Sequence, residues 1–173
     1  MENDGPLAAA DRSAKLARMS QHKATIKWTF PGGDFLKGRY SREHTWTFDG
    51  GTTIPASASP SVVPAPYSNP AHVDPEEAFV ASLSSCHMLT FLFLASRAGF
   101  TITAYEDDAV GTMSKNEHGK SWVSSVVLTP RITYAGDKKP TAEEEQRLHD
   151  AAHHDCFISN SVKTEVVVAL SRG

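Results

Sequence analysis

The chain carries two cysteines, Cys86 and Cys156, 70 residues apart. That separation excludes a local CxxC redox motif and a zinc knuckle. Brought together by a fold, one thiol can attack an oxidant and the other can resolve the product. Left apart, both would act as small buried hydrophobes, a common setting for free cysteine. Cys86 lies in an uncharged helical stretch, Ala78-Phe79-Val80-Ala81-Ser82-Leu83-Ser84-Ser85-Cys86-His87-Met88-Leu89. Cys156 closes a polar, histidine-rich segment and precedes Phe157-Ile158-Ser159-Asn160-Ser161-Val162-Lys163.

A reactive thiol needs charged neighbours. Arg39 and Arg42 stand in the strand-like segment Gly38-Arg39-Tyr40-Ser41-Arg42-Glu43-His44. A guanidinium beside a cysteine lowers its pKa and favours the thiolate, and a carboxylate can hold that guanidinium by a bidentate pair. Solvated arginines on a strand surface are the plainer reading. Glu76 and Glu77 fall in a first helical turn, where acids complement the dipole. Capping accounts for Glu77 and leaves Glu76 free for another task. His149, His153 and Cys156, at i, i+4 and i+7, share a helical face and resemble part of a metal site. Three ligands without a CxxC make a weak signal, and histidines near a helix C-terminus are favourable anyway; no metal is expected. His87 follows Cys86 directly. Neighbours on a helix point about 100° apart, so His87 is not expected to serve as the base for that thiol.

The elements that must position these groups are legible in outline. Ala24–Phe30 and Arg39–Phe48 alternate as strands, with turns at Pro31-Gly32-Gly33-Asp34 and Asp49-Gly50-Gly51. Thr52–Ala56 reads as a short third strand. Pro55–Pro70, with five prolines and four serines, reads as a loop. Asp74-Pro75-Glu76-Glu77 supplies an N-cap, a proline at the first helical position and a capping box. That helix should run to about Ala98 and stop at Gly99. Nearly apolar all round, it should be buried on most sides. Thr101–Met113 and Ser121–Tyr134 read as two strands. Thr141-Ala142-Glu143-Glu144 opens a second helix that ends near Cys156, and Ser161–Leu170 is a last strand. Strands, helix, strands, helix, strand make an α+β protein with antiparallel sheet.

Size and composition narrow the class. A chain of 173 residues with 40% hydrophobic content can build one core. A net charge of -3 gives no electrostatic case for nucleic acid. Residues 1–20 read as a flexible N-terminal extension and 21–173 as a single domain. The first 18 residues lack the apolar core of a signal sequence, and two cysteines suit a reducing cytoplasm. Ala78–Ser96 has no charged residue and nearly the length of a bilayer span. Its serines, Thr90 and His87 favour a central helix of a globular protein or an intimate dimer over a membrane segment.

Assembled, these residues resemble the osmotically inducible protein and organic hydroperoxide resistance family (OsmC/Ohr), from about Ala24 to Leu170. The resemblance rests on Asp74-Pro75-Glu76-Glu77-Ala78-Phe79, on Ser84-Ser85-Cys86 in the same helix, and on Cys156 through Lys163. Phe157 stands where many members have proline, and His87 where many have an aromatic or small residue. The resemblance implies a thiol peroxidase for organic hydroperoxides, with Cys86 as peroxidatic and Cys156 as resolving thiol. Glu76 would position an arginine, with Arg42 the first choice and Arg39 the reserve. It also implies antiparallel sheets around two central helices in an intertwined homodimer. No cofactor would be needed, and an external dithiol or lipoylated protein would be the reductant. Ten helical residues between Glu76 and Cys86 span roughly 15 Å. If Glu76 serves a Cys86 thiolate, it should therefore be that of a second subunit. The alternative is a non-catalytic thiol protein that binds or senses small apolar ligands or electrophiles.

Overall fold

The computed structural model describes residues 20–170. The N-terminal extension expected at residues 1–20 lies, but for its last residue, outside them. The chain divides into two compact units, one ending at His72 and the other beginning at Val73.

The first unit is an antiparallel meander of β1 (Ala24–Lys27), β2 (His44–Phe48) and β3 (Thr53–Ala56). Ala24 pairs with Phe48, and His44 with Ala56. The Asp49-Gly50-Gly51 turn closes as expected, with Gly51 at φ 87°. Two strands are shorter than their alternation suggests. After Lys27 the chain leaves the sheet to build an aromatic cluster of Trp28, Phe30, Phe35 and Tyr40, with Phe35 stacked on Tyr40 at 4.7 Å. The Trp28 indole donates to Ser41 O at 3.0 Å. Arg39 forms only an isolated bridge with Asp34, and the tight turn there brings Arg39 O to where a Cβ on Gly33 would stand.

The second unit is built on α1 (Pro75–Arg97). Its start matches the expected chemistry: Glu77 N donates to Asp74 Oδ1 at 2.8 Å, and Asp74 N to Glu77 Oε2 at 3.1 Å. It ends at Ala98, with Gly99 at φ 80°. Leu83, His87, Phe91 and Ala95 make one fully buried stripe at i+4 spacing. The other faces are more open within the second unit: Leu89 is 61% and Phe93 58% exposed. Burial on most sides is therefore not what the second unit achieves by itself. Its own sheet and second helix cover one stripe.

The two long strands expected after α1 are each broken once. The result is β4 (Thr101–Asp107), β5 (Val110–Lys115), β6 (Ser121–Leu128) and β7 (Pro130–Ala135). β4 pairs with β7 and β5 with β6, both antiparallel. The break is held by Asp107, whose Oδ1 accepts from Thr129 N at 2.7 Å and whose Oδ2 accepts from Ser84 Oγ on α1. Thr129 Oγ1 adds a bond to Asp108 O at 3.0 Å. Each half then packs on its own stretch of helix. Phe91, Ala95, Phe100 and Ala152 form one core cluster, and Leu83, Val126 and Leu128 another.

Helix α2 (Ala142–Asp155) starts with the capping box of Thr141 and Glu144 and packs on α1 through Ala152. A 3-10 turn at Ser159–Ser161 follows, then β8 (Glu165–Val168), shorter than expected. β8 runs parallel to β6, pairing Ser125 with Glu165. A purely antiparallel sheet thus needs correction at this edge. The chain returns from β7 through α2, and a helical crossover delivers a strand in the parallel sense.

Gly111 on β5 records how tightly α1 is seated, since a Cβ there would lie 2.5 Å from Val80 Cγ2. Gly111→Ala should destabilise by about 1–3 kcal/mol through overpacking. Gly50→Ala, where nothing lies within 4 Å of the new carbon, should stay within about 0.5 kcal/mol. Urea denaturation midpoints of the two variants test this.

Candidate functional site

Helix α1 presents Cys86 partly exposed, three residues past the buried Leu83. Cys156 caps the C-terminus of α2 and is fully buried. Both thiols are free. Because α1 and α2 pack side by side, the two thiols stand close enough to influence each other's titration despite their separation in sequence. Asn160 fixes the chain beyond Cys156 by donating from Nδ2 to His154 O at 2.7 Å and to Cys156 O at 3.0 Å. These bonds satisfy carbonyls that a helix C-terminus leaves open. The same turn aims Ser159 N at Cys156 Sγ, 3.5 Å away.

The pair shares its protons unequally. Burial pushes the Cys86 thiol up, and its hydrogen bond to Cys156 pushes it further. Burial works upward on Cys156 too, but the hydrogen bond from Cys86 and those from Ser159 outweigh it and draw Cys156 down. Cys86 is the sulfur that solvent can reach.

Glu76 and Cys86 are not brought together in one chain. Glu76 lines a cavity of about 730 Å³ with Val80, Ser84, Met88, Val110 and Met113, among others, and Cys86 is not on its wall. Arg42 and Arg39 belong to the first unit. The Arg42 guanidinium donates to Gly38 O at 2.7 Å and to Tyr40 O, and sits 3.8 Å over the Tyr40 ring. Arg39 holds only its backbone bridge to Asp34. Among the described residues no three His, Cys, Asp or Glu side chains converge on a metal-holding geometry. His149, His153 and Cys156 share a face without forming such a group.

A feature the sequence did not reveal lies beside the thiols. His87 Nε2 and His149 Nδ1 are 3.0 Å apart, with rings parallel to within 1°. Both side chains are fully buried, and Phe91 stacks on His149 at 4.1 Å. His87 Nδ1 and His149 Nε2 have no partner. Two histidines, each on a helix face that turns inward, were the available signal, but only the structure shows that the two faces meet. Burial holds His87 down to about 4, helped by His153 and opposed by Asp107. Burial and His87 likewise hold His149 down to about 4, against Asp150.

This shift has a stability consequence with a definite sign. Free histidine titrates near 6.5, so between that value and about 4 the unfolded chain binds protons that the folded chain refuses. Stability is complete above pH 6.5 and should fall by about 3 kcal/mol for the pair's first proton as pH drops towards 4. Urea denaturation at pH 7, 5.5 and 4.5 should show that decline, and His87→Leu/His149→Leu should flatten it.

The family model described as OsmC-like protein matches residues 68–171. The chain is similar to the structure of an OsmC-like protein of unknown function from Vibrio cholerae O1 biovar eltor str. N16961. Identity is 51%, coverage 88% of this chain and 100% of that one, and the TM-score 0.86. It is also similar to an organic hydroperoxide resistance protein from Elizabethkingia anophelis with thiocyanate bound, at 22% identity, 90% and 98% coverage and a TM-score of 0.67. A third is the organic hydroperoxide resistance protein OhrB of Bacillus subtilis, at 20% identity, 88% and 98% coverage and a TM-score of 0.61. No curated protein matches the chain. The chain belongs to the OsmC-like protein family.

Proposed function

We propose that this chain, as a member of the OsmC-like family, is a cysteine-based peroxidase that reduces organic hydroperoxides in oxidative stress defence. The observation that carries the reading is the close approach of two free thiols from different helices. In this reading Cys86 is the attacking thiol, because it is partly exposed while Cys156 is fully buried. Its thiolate takes the distal oxygen of ROOH, the O–O bond breaks, and the alcohol leaves with a proton, giving Cys86 sulfenic acid. Cys156 displaces water from that sulfur and forms the Cys86–Cys156 disulfide. An external dithiol, such as a lipoylated protein, then returns two electrons and two protons.

The upward push on Cys86 is the obstacle this mechanism must overcome. A cation beside the sulfur is the ordinary remedy, and Arg42 is proposed to supply it, with Glu76 as the carboxylate that orients the guanidinium. The exposed apolar side chains Leu89 and Phe93 on α1 and the rise of roughly 15 Å between Glu76 and Cys86 support a homodimer. In it each α1 would lend its N-terminus to the partner's thiol. A cytoplasmic location completes the proposal. The high pKa of Cys86 also favours a second reading, a thiol protein that binds or senses small apolar molecules without turnover.

Sub-stoichiometric organic hydroperoxide should close the Cys86–Cys156 disulfide, read by mass spectrometry. Two free thiols after that treatment would favour the binding protein. Cys86→Ser should abolish peroxide reduction, Cys156→Ser should stop after one turnover with sulfenic acid at Cys86, and Arg42→Ala should slow the reaction more than Arg39→Ala. Sulfenic acid on Cys156 in Cys86→Ser would reverse the roles.

The shared site has its own test. A mixed dimer of Glu76→Ala and Cys86→Ser chains should keep one complete site and about half the wild-type activity per dimer, on the order expected for independent sites. A fully active monomer by sedimentation and assay would end the dimer proposal.

A further inference from the structure

We infer that the His87–His149 hydrogen bond is a register pin that holds Cys86 against Cys156, which makes both histidines positioning residues. The inference takes from the proposed function only the pairing of the two thiols. His87 follows Cys86 on α1, and His149 stands seven residues, two helical turns, before Cys156 on α2. His87 is tied to Cys86 by continuous helix, and His149 to Cys156 by helix as far as Asp155 and then by the C-cap itself. The Asn160 bonds to His154 O and Cys156 O then carry the position of α2 through to the thiol at its end.

The rest of the contact between the helices does not fix their register. Phe91, Ala95 and Ala152 supply apolar packing, which is non-directional and tolerates a small slide or rotation. A hydrogen bond does not, because it weakens steeply once distance or angle departs from its narrow range. The His87–His149 bond is 3.0 Å long between rings parallel to within 1°. A slide by one residue moves one helix about 1.5 Å along the other, enough to break it and to part the sulfurs.

The pair is also a costly way to fill space. His87 Nδ1 and His149 Nε2 are buried without partners, a penalty that two leucines would avoid. A buried polar contact that gives up stability to select one packing register is the best-attested use of such a group. His153 and Asp150 on α2 and Asp107 on β4 face the pair electrostatically. At neutral pH both rings are uncharged, so one proton bridges the two nitrogens.

The test measures how close the thiols are held and uses no peroxide. Reduced protein is equilibrated with glutathione: the protein dithiol loses two electrons and two protons, oxidised glutathione is split into two thiols, and the Cys86–Cys156 disulfide forms. The equilibrium constant reports the effective concentration of one thiol at the other. His87→Leu/His149→Leu should remain folded and lower that constant at least tenfold. His87→Gln/His149→Asn, which keeps an amide hydrogen bond across the pair, should stay within threefold of wild type. A wild-type constant in the leucine pair overturns the inference, as does an equal fall in both pairs. Loss of the folded state in the leucine pair overturns it too, since the histidines would then hold the fold and not the thiols. Peroxide reduction with an unaltered constant in the leucine pair would remove this inference and leave the proposed function standing. A lowered constant in a protein that does not reduce peroxide would do the reverse.

Discussion

Everything in the second unit depends on one stripe of α1. Leu83, His87, Phe91 and Ala95 are the residues that this helix buries completely, and each element around it is placed by contact with some part of that stripe. β5 and β6 close on the Leu83 end, β4 and β7 on the Phe91 end, and α2 lies along the stripe at His87, Phe91 and Ala95. Full burial of a leucine or phenylalanine contributes about 1.5–3 kcal/mol. Two such side chains with an alanine and a histidine make a modest seam, so directional contacts gain weight. Asp107, tied both to Ser84 and to Thr129, and the paired histidines are where the packing acquires a definite register.

The two thiols meet because of that seam. Neither α1 nor α2 alone contains a redox motif. The contact arises from two helices crossing at a fixed height, with Cys86 in mid-helix and Cys156 at a helix end. A thiol in the middle of a helix moves only with the helix, and the one at the cap is held by the Asn160 bonds to His154 O and Cys156 O. Both thiols therefore stand on fixed supports.

Much of this was legible in the sequence because it is local. Asp74-Pro75-Glu76-Glu77 and Thr141 with Glu144 fix both helix starts through contacts only three residues apart, and Gly99 fixes a stop. The breaks in the long strands were not legible. They depend on Asp107 reaching Thr129 and Ser84, 22 and 23 residues away, and alternation of side chains continues through such a bend without a sign. Nor was the parallel pairing of β8, which follows from the route of the chain and not from its composition. His87 and His149 escaped for the same reason. Each sits on its own helix with an unremarkable local pattern, and their bond spans 62 residues. The cysteines and Glu76 were singled out through spacing and resemblance.

The seating of α1 also decides where the chain can change length. One residue inserted in α1 before Cys86 would turn the rest of the helix by about 100° and advance it about 1.5 Å. That would carry the thiol away from Cys156 and place polar side chains on the buried stripe. An insertion in α2 between His149 and Cys156 would do the same from the other side. The Asn116–Gly119 turn between β5 and β6 is free of that constraint. Gly119 has open space around it, and the turn is closed by bonds within itself, from Gly119 N to Asn116 O and from Lys120 N to Asn116 Oδ1. Insertions and deletions should therefore gather in such turns, while the helical intervals that set the thiol pair keep a fixed residue count.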